Sequence, residues 1–479
     1  MKKKVLAVSA ACALSAATAV PALALENEFH GMFRVFGYLS NYGNGGSGSF
    51  AASTAPAVDL ADNARTRSYV EQRARLMYIA KANDDLKLVT HFEIDSRWGD
   101  SAYGNGRGAG AAVGADQVNL ETKNVYLDFN IPSTAINAKV GVQPWTDSYG
   151  GIFVNADMAG ALVSAKYAGF TNSIGWFRFN DDLAPLTTLT DKSTPPDGDF
   201  DDPNEITTNA TTVPGKSTRD LFVLDSKYNL SKDVKLGASY YLLFTDQPAY
   251  GTPTTYNGVK YNTSIAGNPN TYTHMIGLNG EFKLDPVTLG LFGMYQFGDT
   301  PGALNSDLSA FAAGATAKGK LGIGTAKAAF LYTSGDKTTG NGTDNSAFQA
   351  ISPESTFYAA DMMILLRNKY NMNSDRAVVH SLNGAQANEG FIGGFVGYDA
   401  NFTPKAFGSV NAGFAAAANT NNDSYLGTEV NAEVGYKLFD NMTASVQGAY
   451  FFLGDYFDKG ATQNADDPYV TRVMLNYAF

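Results

Sequence analysis

The sequence predicts an all-β protein, a transmembrane antiparallel up-and-down β-barrel of about 18 strands, within a range of roughly 16 to 20. Three observations predict it. Apolar and polar residues alternate with period two in segment after segment, the mark of strands with one apolar and one polar face. Tight turns alternate with long polar loops along the chain. The chain also closes on "TRVMLNYAF", a strand that runs to a bulky apolar residue with no polar tail. Composition agrees, with 26 Tyr, 30 Phe and 49 Gly in 479 residues.

The first element is not a strand. Lys2, Lys3 and Lys4 precede an apolar run over 5–14, and "ALA" follows at 22–24. This order reads as a secretory signal peptide, residues 1–24, leaving a barrel domain over 25–479. The run is about half of the ~20 apolar residues that a membrane span needs. The single cysteine, Cys12, lies inside the leader, with Ser9 where a lipidation site wants an aliphatic residue. The mature chain therefore carries no disulfide, no Cys-ligated cluster and no Cys-based haem site. Without the three leader lysines, 35 basic side chains become 32 against 46 acidic ones, near −14, which argues against nucleic acid as a partner.

The strands follow in order. A first strand is read over 29–39. "SYVEQRARLMYIAKA" places Val70, Ala74, Leu76 and Tyr78 on one face and Glu71, Arg73 and Arg75 on the other. After "NDD" the chain returns with Leu86, Leu88, Phe92 and Ile94 alternating with Lys87, His91, Glu93, Asp95 and Arg97. "NVYLDFNIPSTAINAKVGVQ" repeats the device around a Pro-containing turn. Near the end, Val430, Ala432, Val434 and Tyr436 alternate with Glu429, Asn431, Glu433 and Lys437. Tight turns are read near Asn83, Pro132, Phe170, Ser231, Pro286, Leu321, Thr403 and Asp440. Between them lie mostly long polar loops at 40–64, 99–119, 144–159, 181–216, 246–270, 299–309, 334–389, 419–423 and 455–467. Short turns at one end and long loops at the other describe an outer-membrane barrel.

Closure follows from energetics. In lipid an open sheet edge has no water to satisfy its backbone groups, so the first and last strands must pair. The last strand is the closing one, with Val473, Leu475, Tyr477 and Phe479 facing lipid and serving as its assembly signal. Parity then places Arg65, Arg67, Arg73, Arg75 and Arg97 in the lumen beside His91, Glu93 and Asp95, with Lys139, Lys318, Lys320, Lys327 and Arg472 on the same inward parity. Two readings stand side by side. The basic side chains form a ladder that sets ion preference, or they pair with acids on neighbouring strands and brace a wet wall. Asn431, also inward, reads as a position where arginine is mild.

Other chemistry finds little support. "DGDFDD" has Asp197, Asp199 and Asp201 at calcium-loop spacing, but Asp202 replaces the required Gly and Thr208 the required Glu. "GNGRGAG" lacks the glycine pattern of a dinucleotide site. The four histidines are scattered, and no Gly-x-Ser-x-Gly or His-Glu-x-x-His occurs. No metal, cofactor or enzymatic activity is expected; His91 beside Asp95 is the one pair close enough in sequence to ask about.

With its leader, its alternating strands and its terminal Phe, the chain resembles Gram-negative outer-membrane porins. Within them "RARLMYIAKANDDLKLVTHFEIDSR", "NVYLDFNI" and "AKVGVQPWTDSYGGIFVNADMAG" look like the front of phosphate-selective and related substrate-selective porins. The resemblance implies passive diffusion of small polar solutes and ions through a barrel set among outer-membrane lipids and lipopolysaccharide. It also implies recognition of the last strand by the barrel-assembly machinery, a homotrimer, and a loop folded into the lumen, for which 144–159 and 334–389 are candidates. The alternative is a barrel that sheathes an electron-transfer partner such as a multihaem cytochrome.

Overall fold

The computed structural model describes residues 25–479 apart from 43–59, 61–63, 100–107, 112–119, 193–207, 247–253, 257–258, 262–269, 301–305, 337–343, 352–360, 367–369, 371–376, 379–388, 422 and 459–463. The leader, 1–24, and the acidic run at 197–202 lie outside the described residues. Eighteen strands form a closed antiparallel barrel. They are β1 (Glu26–Ser40), β2 (Arg67–Asn83), β3 (Leu86–Trp98), β4 (Leu120–Asn130), β5 (Ile136–Thr146) and β6 (Asn155–Tyr167). Next come β7 (Phe170–Lys192), β8 (Thr208–Asn229), β9 (Val234–Asp246), β10 (Thr271–Leu284), β11 (Val287–Thr300) and β12 (Ser306–Leu321). The last six are β13 (Gly324–Thr333), β14 (Phe391–Asn401), β15 (Ala406–Ala416), β16 (Tyr425–Phe439), β17 (Met442–Leu453) and β18 (Tyr469–Ala478).

Each strand pairs with the next, and β18 pairs with β1 from Met32↔Ala478 to Ser40↔Val470. The terminal residue takes part. Gly31 N donates to Phe479 O at 2.8 Å and Phe479 N donates to Gly31 O at 3.0 Å. Neither the first nor the last strand is left as an open edge, as a lipid environment requires. Short turns at 84–85, 131–135, 168–169, 230–233, 285–286, 322–323, 402–405 and 440–441 gather at one end.

The two faces differ in chemistry. The outer face is apolar, with Leu76, Leu127, Ile174, Leu224, Ile276, Val396, Val434 and Val473 all exposed. Aromatic pairs mark both rims of this belt: Phe29–Tyr78, Phe170–Tyr228 and Tyr477–Phe479 near the short turns, Tyr295–Phe297, Phe311–Tyr332 and Tyr450–Phe452 near the long loops. Such girdles sit where lipid meets water. Buried residues lie on the inner face and in segments that enter the lumen, so the core is inside the barrel.

Two departures from the sequence reading stand out. Within 181–216, positions 181–192 and 208–216 are paired strand, with Leu183↔Lys216 and Leu189↔Thr211 in register. Thr- and Val-rich stretches favour extended backbone there, and the Asp, Pro and Gly residues between them mask the signal. Within 246–270, Thr254–Tyr256 and Val259–Tyr261 form a small separate ribbon.

The wall is also irregular at β5. Its ladder with β4 ends at Val125↔Val142, while its ladder with β6 continues to Thr146↔Asn155. Gly141 marks the bend, at φ +131°, where an added Cβ would stand 2.3 Å from Val125 O. Only glycine tolerates both conditions. Beyond this point Asp157 on β6 accepts from Lys123 Nζ and Asn124 Nδ2 on β4, each at 2.8 Å, so side chains join the two strands there.

Candidate functional site: a lumen narrowed from within

Residues 147–154, which follow the bend in β5, fold into the lumen. Asp147 shapes them: its carboxylate accepts from the backbone N–H of Tyr149, Gly151, Phe153 and Val154 at 2.8–2.9 Å. Burial pushes the Asp147 carboxyl above the usual carboxylate range, while these four donors pull it back down. Tyr149, Ile152, Phe153 and Val154 are fully buried. The segment reaches along the wall past β6 and β7, where Ser148 Oγ donates to Asp225 of β8 at 2.7 Å and Asn279 of β10 donates to Ser148 O at 2.7 Å. Aromatic contacts of Tyr149 and Phe153 with Tyr241, and of Tyr149 with Phe292, complete the docking.

A second segment enters between β13 and β14. Gln296 of β11 and Gln349 exchange two bonds at 2.8 Å, Gln296 Nε2 to Gln349 O and Gln349 N to Gln296 Oε1. Ile351 N donates to Phe153 O at 2.7 Å, so the two inward segments touch. Further on, Met362, Ile364, Leu365 and Leu366 are fully buried, and Tyr42 Oη donates to Met363 O at 3.4 Å. Both stretches considered as inward loops, 144–159 and 334–389, therefore contribute.

The inner face of β2 and β3 is charged. Arg73 makes two parallel bonds to Asp95, Nε to Oδ1 and Nη2 to Oδ2, both 2.6 Å, and lies 3.4 Å from Glu93. Arg75 binds Glu93, and Arg97 Nη2 lies 3.2 Å from Glu71 Oε1. These are cross-strand neighbours in register, Arg73↔Asp95, Arg75↔Glu93 and Glu71↔Arg97. Arg73, Glu93 and Asp95 are no more than 2% exposed, so a bidentate geometry compensates their desolvation. Arg472 Nε donates to Gln447 Oε1 at 2.5 Å, with its guanidinium 4.8 Å from the Phe36 ring centre. Arg34, which the sequence reading passed over, donates to Asn476 Oδ1 at 3.0 Å and lies 4.9 Å from the Tyr370 ring. Its parity with Phe36 and Tyr38 was the available signal.

The remaining positions are more scattered. Arg65 and Arg67 are exposed at the long-loop rim. His91 turns to Asn124 Oδ1 at 3.3 Å rather than to Asp95. Lys139 lies 5.8 Å from the Tyr126 ring. Lys318 and Lys320 stay exposed near the short turns, whereas Lys327 donates to Asp361 and Asp399 at 2.8 and 2.9 Å. At the closing strand Val473, Tyr477 and Phe479 are exposed, Leu475 is half-buried, and the alternating Arg472 and Met474 are buried. Asn431 corrects an expectation. It bonds Asp361 O and Glu429 at 2.7 Å and is nearly buried, so arginine there would be disruptive. Among the described residues no group of three or more His, Cys, Asp or Glu could hold a metal ion.

No protein-family model matches the sequence, and no curated protein matches it either. Solved structures do match in shape. The outer membrane protein opdK from Pseudomonas aeruginosa superposes with a TM-score of 0.52 at 13% identity, covering 95% of this chain and 98% of that one. OpdL from the same organism gives 0.52 at 12% identity, over 95% and 99%. OccAB4 from Acinetobacter baumannii gives 0.50 at 13%, over 95% and 98%. At such identities the likeness is one of architecture, and it extends over nearly the whole of both chains: this protein has the porin fold.

Proposed function

We propose that the protein is a bacterial outer-membrane channel for passive diffusion of small hydrophilic solutes and ions, with mild anion preference. One observation carries this reading. The inner faces of β18, β1, β2 and β3 carry Arg472, Arg34, Arg73, Arg75, Glu93 and Asp95 beside apolar Phe36, Tyr38 and Met474. Two segments of the same chain narrow the lumen, the second reaching this strip at Tyr42 and Arg34. A water-filled passage beside the strip is the arrangement that selects solutes by size and charge. In this reading the short turns face the periplasm. The leader 1–24 directs export, and the outward residues of β18 are recognised during insertion. Lipids and lipopolysaccharide surround the outer belt.

The sign of the preference follows from the pairing. Arg73, Arg75 and Arg97 face Asp95, Glu93 and Glu71, so these charges nearly cancel at a distance. Arg34 makes no ion pair among the described residues, and its partner Asn476 is neutral. The strip keeps a modest positive excess, less screened than charges on the outer loops, whose field decays over about 8 Å at physiological salt. The test is the zero-current potential of the pure protein across a salt gradient in a planar bilayer. We expect discrete ohmic steps, anion preference, and a shift toward cations in Arg73→Ala/Arg75→Ala, which leaves Glu93 and Asp95 uncompensated. No steps would refute the channel. A cation-selective wild type matched by the double mutant would make the arginines a brace only. The lumen is occupied by the chain's own segments, which speaks against a sheath around a cytochrome.

A further inference from the structure

Glu429 lies on the inner face of β16 and is 0% exposed. Its Oε1 accepts from Met363 N at 2.7 Å and from Asn431 Nδ2 at 2.7 Å. Its Oε2 accepts from Ile364 N at 2.9 Å and from Leu365 N at 2.7 Å. Asn431 also donates to Asp361 O at 2.7 Å, and Lys327 of β13 holds the Asp361 carboxylate at 2.8 Å. Between those strands, on β15, a Cβ at Gly413 would stand 2.9 Å from Met362 Sδ. The inner faces of β13, β15 and β16 thus form a socket fitted to residues 361–365.

A socket is more than coverage. Burying a carboxylate costs several kcal/mol of solvation unless bonds replace the lost water. Where the wall receives the first inward segment, it uses Phe177, Tyr241 and Met294 together with two bonds to Ser148, from its hydroxyl to Asp225 and from Asn279 to its carbonyl. At Glu429, by contrast, one wall carboxylate gathers three consecutive backbone N–H groups. Among the described residues Glu429 makes no ion pair; backbone N–H groups of the segment and Asn431 supply its compensation. Three consecutive N–H groups converging on one anion form a small nest. We infer that Glu429 is the positioning residue that fixes segment 361–366 in the lumen and so sets the width and ion preference of the pore, an inference that rests on the channel reading. An isosteric amide keeps the volume but turns an –NH2 toward N–H groups. The apolar side chains of Met362 to Leu366 then lose their register on the wall, and the segment swings free.

The test compares Ile364→Cys with Ile364→Cys/Glu429→Gln, both with Cys12 replaced by Ser, using a membrane-impermeant maleimide on protein folded in detergent. Ile364 is fully buried. We expect labelling about tenfold faster in the double variant, equivalent to about 1.4 kcal/mol of lost tethering. The Glu429→Gln channel should show larger single-channel conductance and a changed reversal potential, with the heat-modifiable folded fraction unchanged. Equal labelling rates overturn the clasp. Faster labelling with unchanged conductance and potential overturns its role in selectivity. If the wild type does not conduct, the channel reading falls while labelling still decides the clasp. Asn431→Ala must move both readouts the same way by less, and if Glu429→Gln does not fold, an unmoved Asn431→Ala overturns the inference.

Discussion

The two inward segments are held by the same chemistry in opposite ways. In the first, Asp147 belongs to the segment and binds four N–H groups of residues two to seven positions later. In the second, Glu429 belongs to the wall and binds N–H groups of residues more than sixty positions away in sequence. The first segment carries its own shape and only docks; the second takes its shape from the wall. A self-capped turn survives the loss of any one outside contact, whereas a wall-held segment depends on its socket.

Breaking the cap should have the largest effect. Asp147→Ala leaves four buried donors without their acceptor, each at about 1–3 kcal/mol before relaxation. We expect protease cleavage within 147–154 and a lower urea midpoint in detergent; a protected segment would show that docking alone shapes it. Separating wall from socket comes next. Val434 lies on the outer face of β16, and arginine there should cost about 2–4 kcal/mol near mid-membrane. In the folded fraction of Val434→Arg, segment 361–366 should remain protected from labelling. Asn431→Arg should do the reverse, sparing the belt and releasing the segment. A smaller effect is expected where the segments meet. Ile351→Pro removes the donor to Phe153 O, a bond worth about 0.5–1.5 kcal/mol net, and should raise current noise without changing mean conductance by much. Ser148→Ala, which loses one hydroxyl contact to Asp225, should be the mildest, visible as slightly faster cleavage of the first segment.

Legibility in the sequence follows the same division. Strand number, turn positions and the inward or outward parity of Arg73, Leu76 and Arg472 were readable because a period of two is local. So in part was the first segment: Asp147 followed by Ser148, Tyr149, Gly150 and Gly151 is turn chemistry, and both glycines adopt positive φ. Glu429 gave no comparable sign. It is one polar residue among alternating ones, and what distinguishes it is the approach of a distant segment. Asn431 was misjudged for that reason. The arginine wall lies between: parity placed Arg73, Arg75, Glu93 and Asp95 on one face, but only the register Arg73↔Asp95 and Arg75↔Glu93 decides which pairs form.

The seam between β1 and β18 makes the chain, topologically, a ring with one cut. Both strands end near the short turns, where Gly31 and Phe479 meet. A short linker from 479 back to 26 could close the ring, and a new cut at 322–323 would reopen it without removing any ladder. Such a circular permutant keeps all the pairings but no longer ends on an aromatic strand residue. Stability of the finished barrel and recognition of its last strand would then be measurable apart, the first by heat modifiability after refolding, the second by insertion in cells.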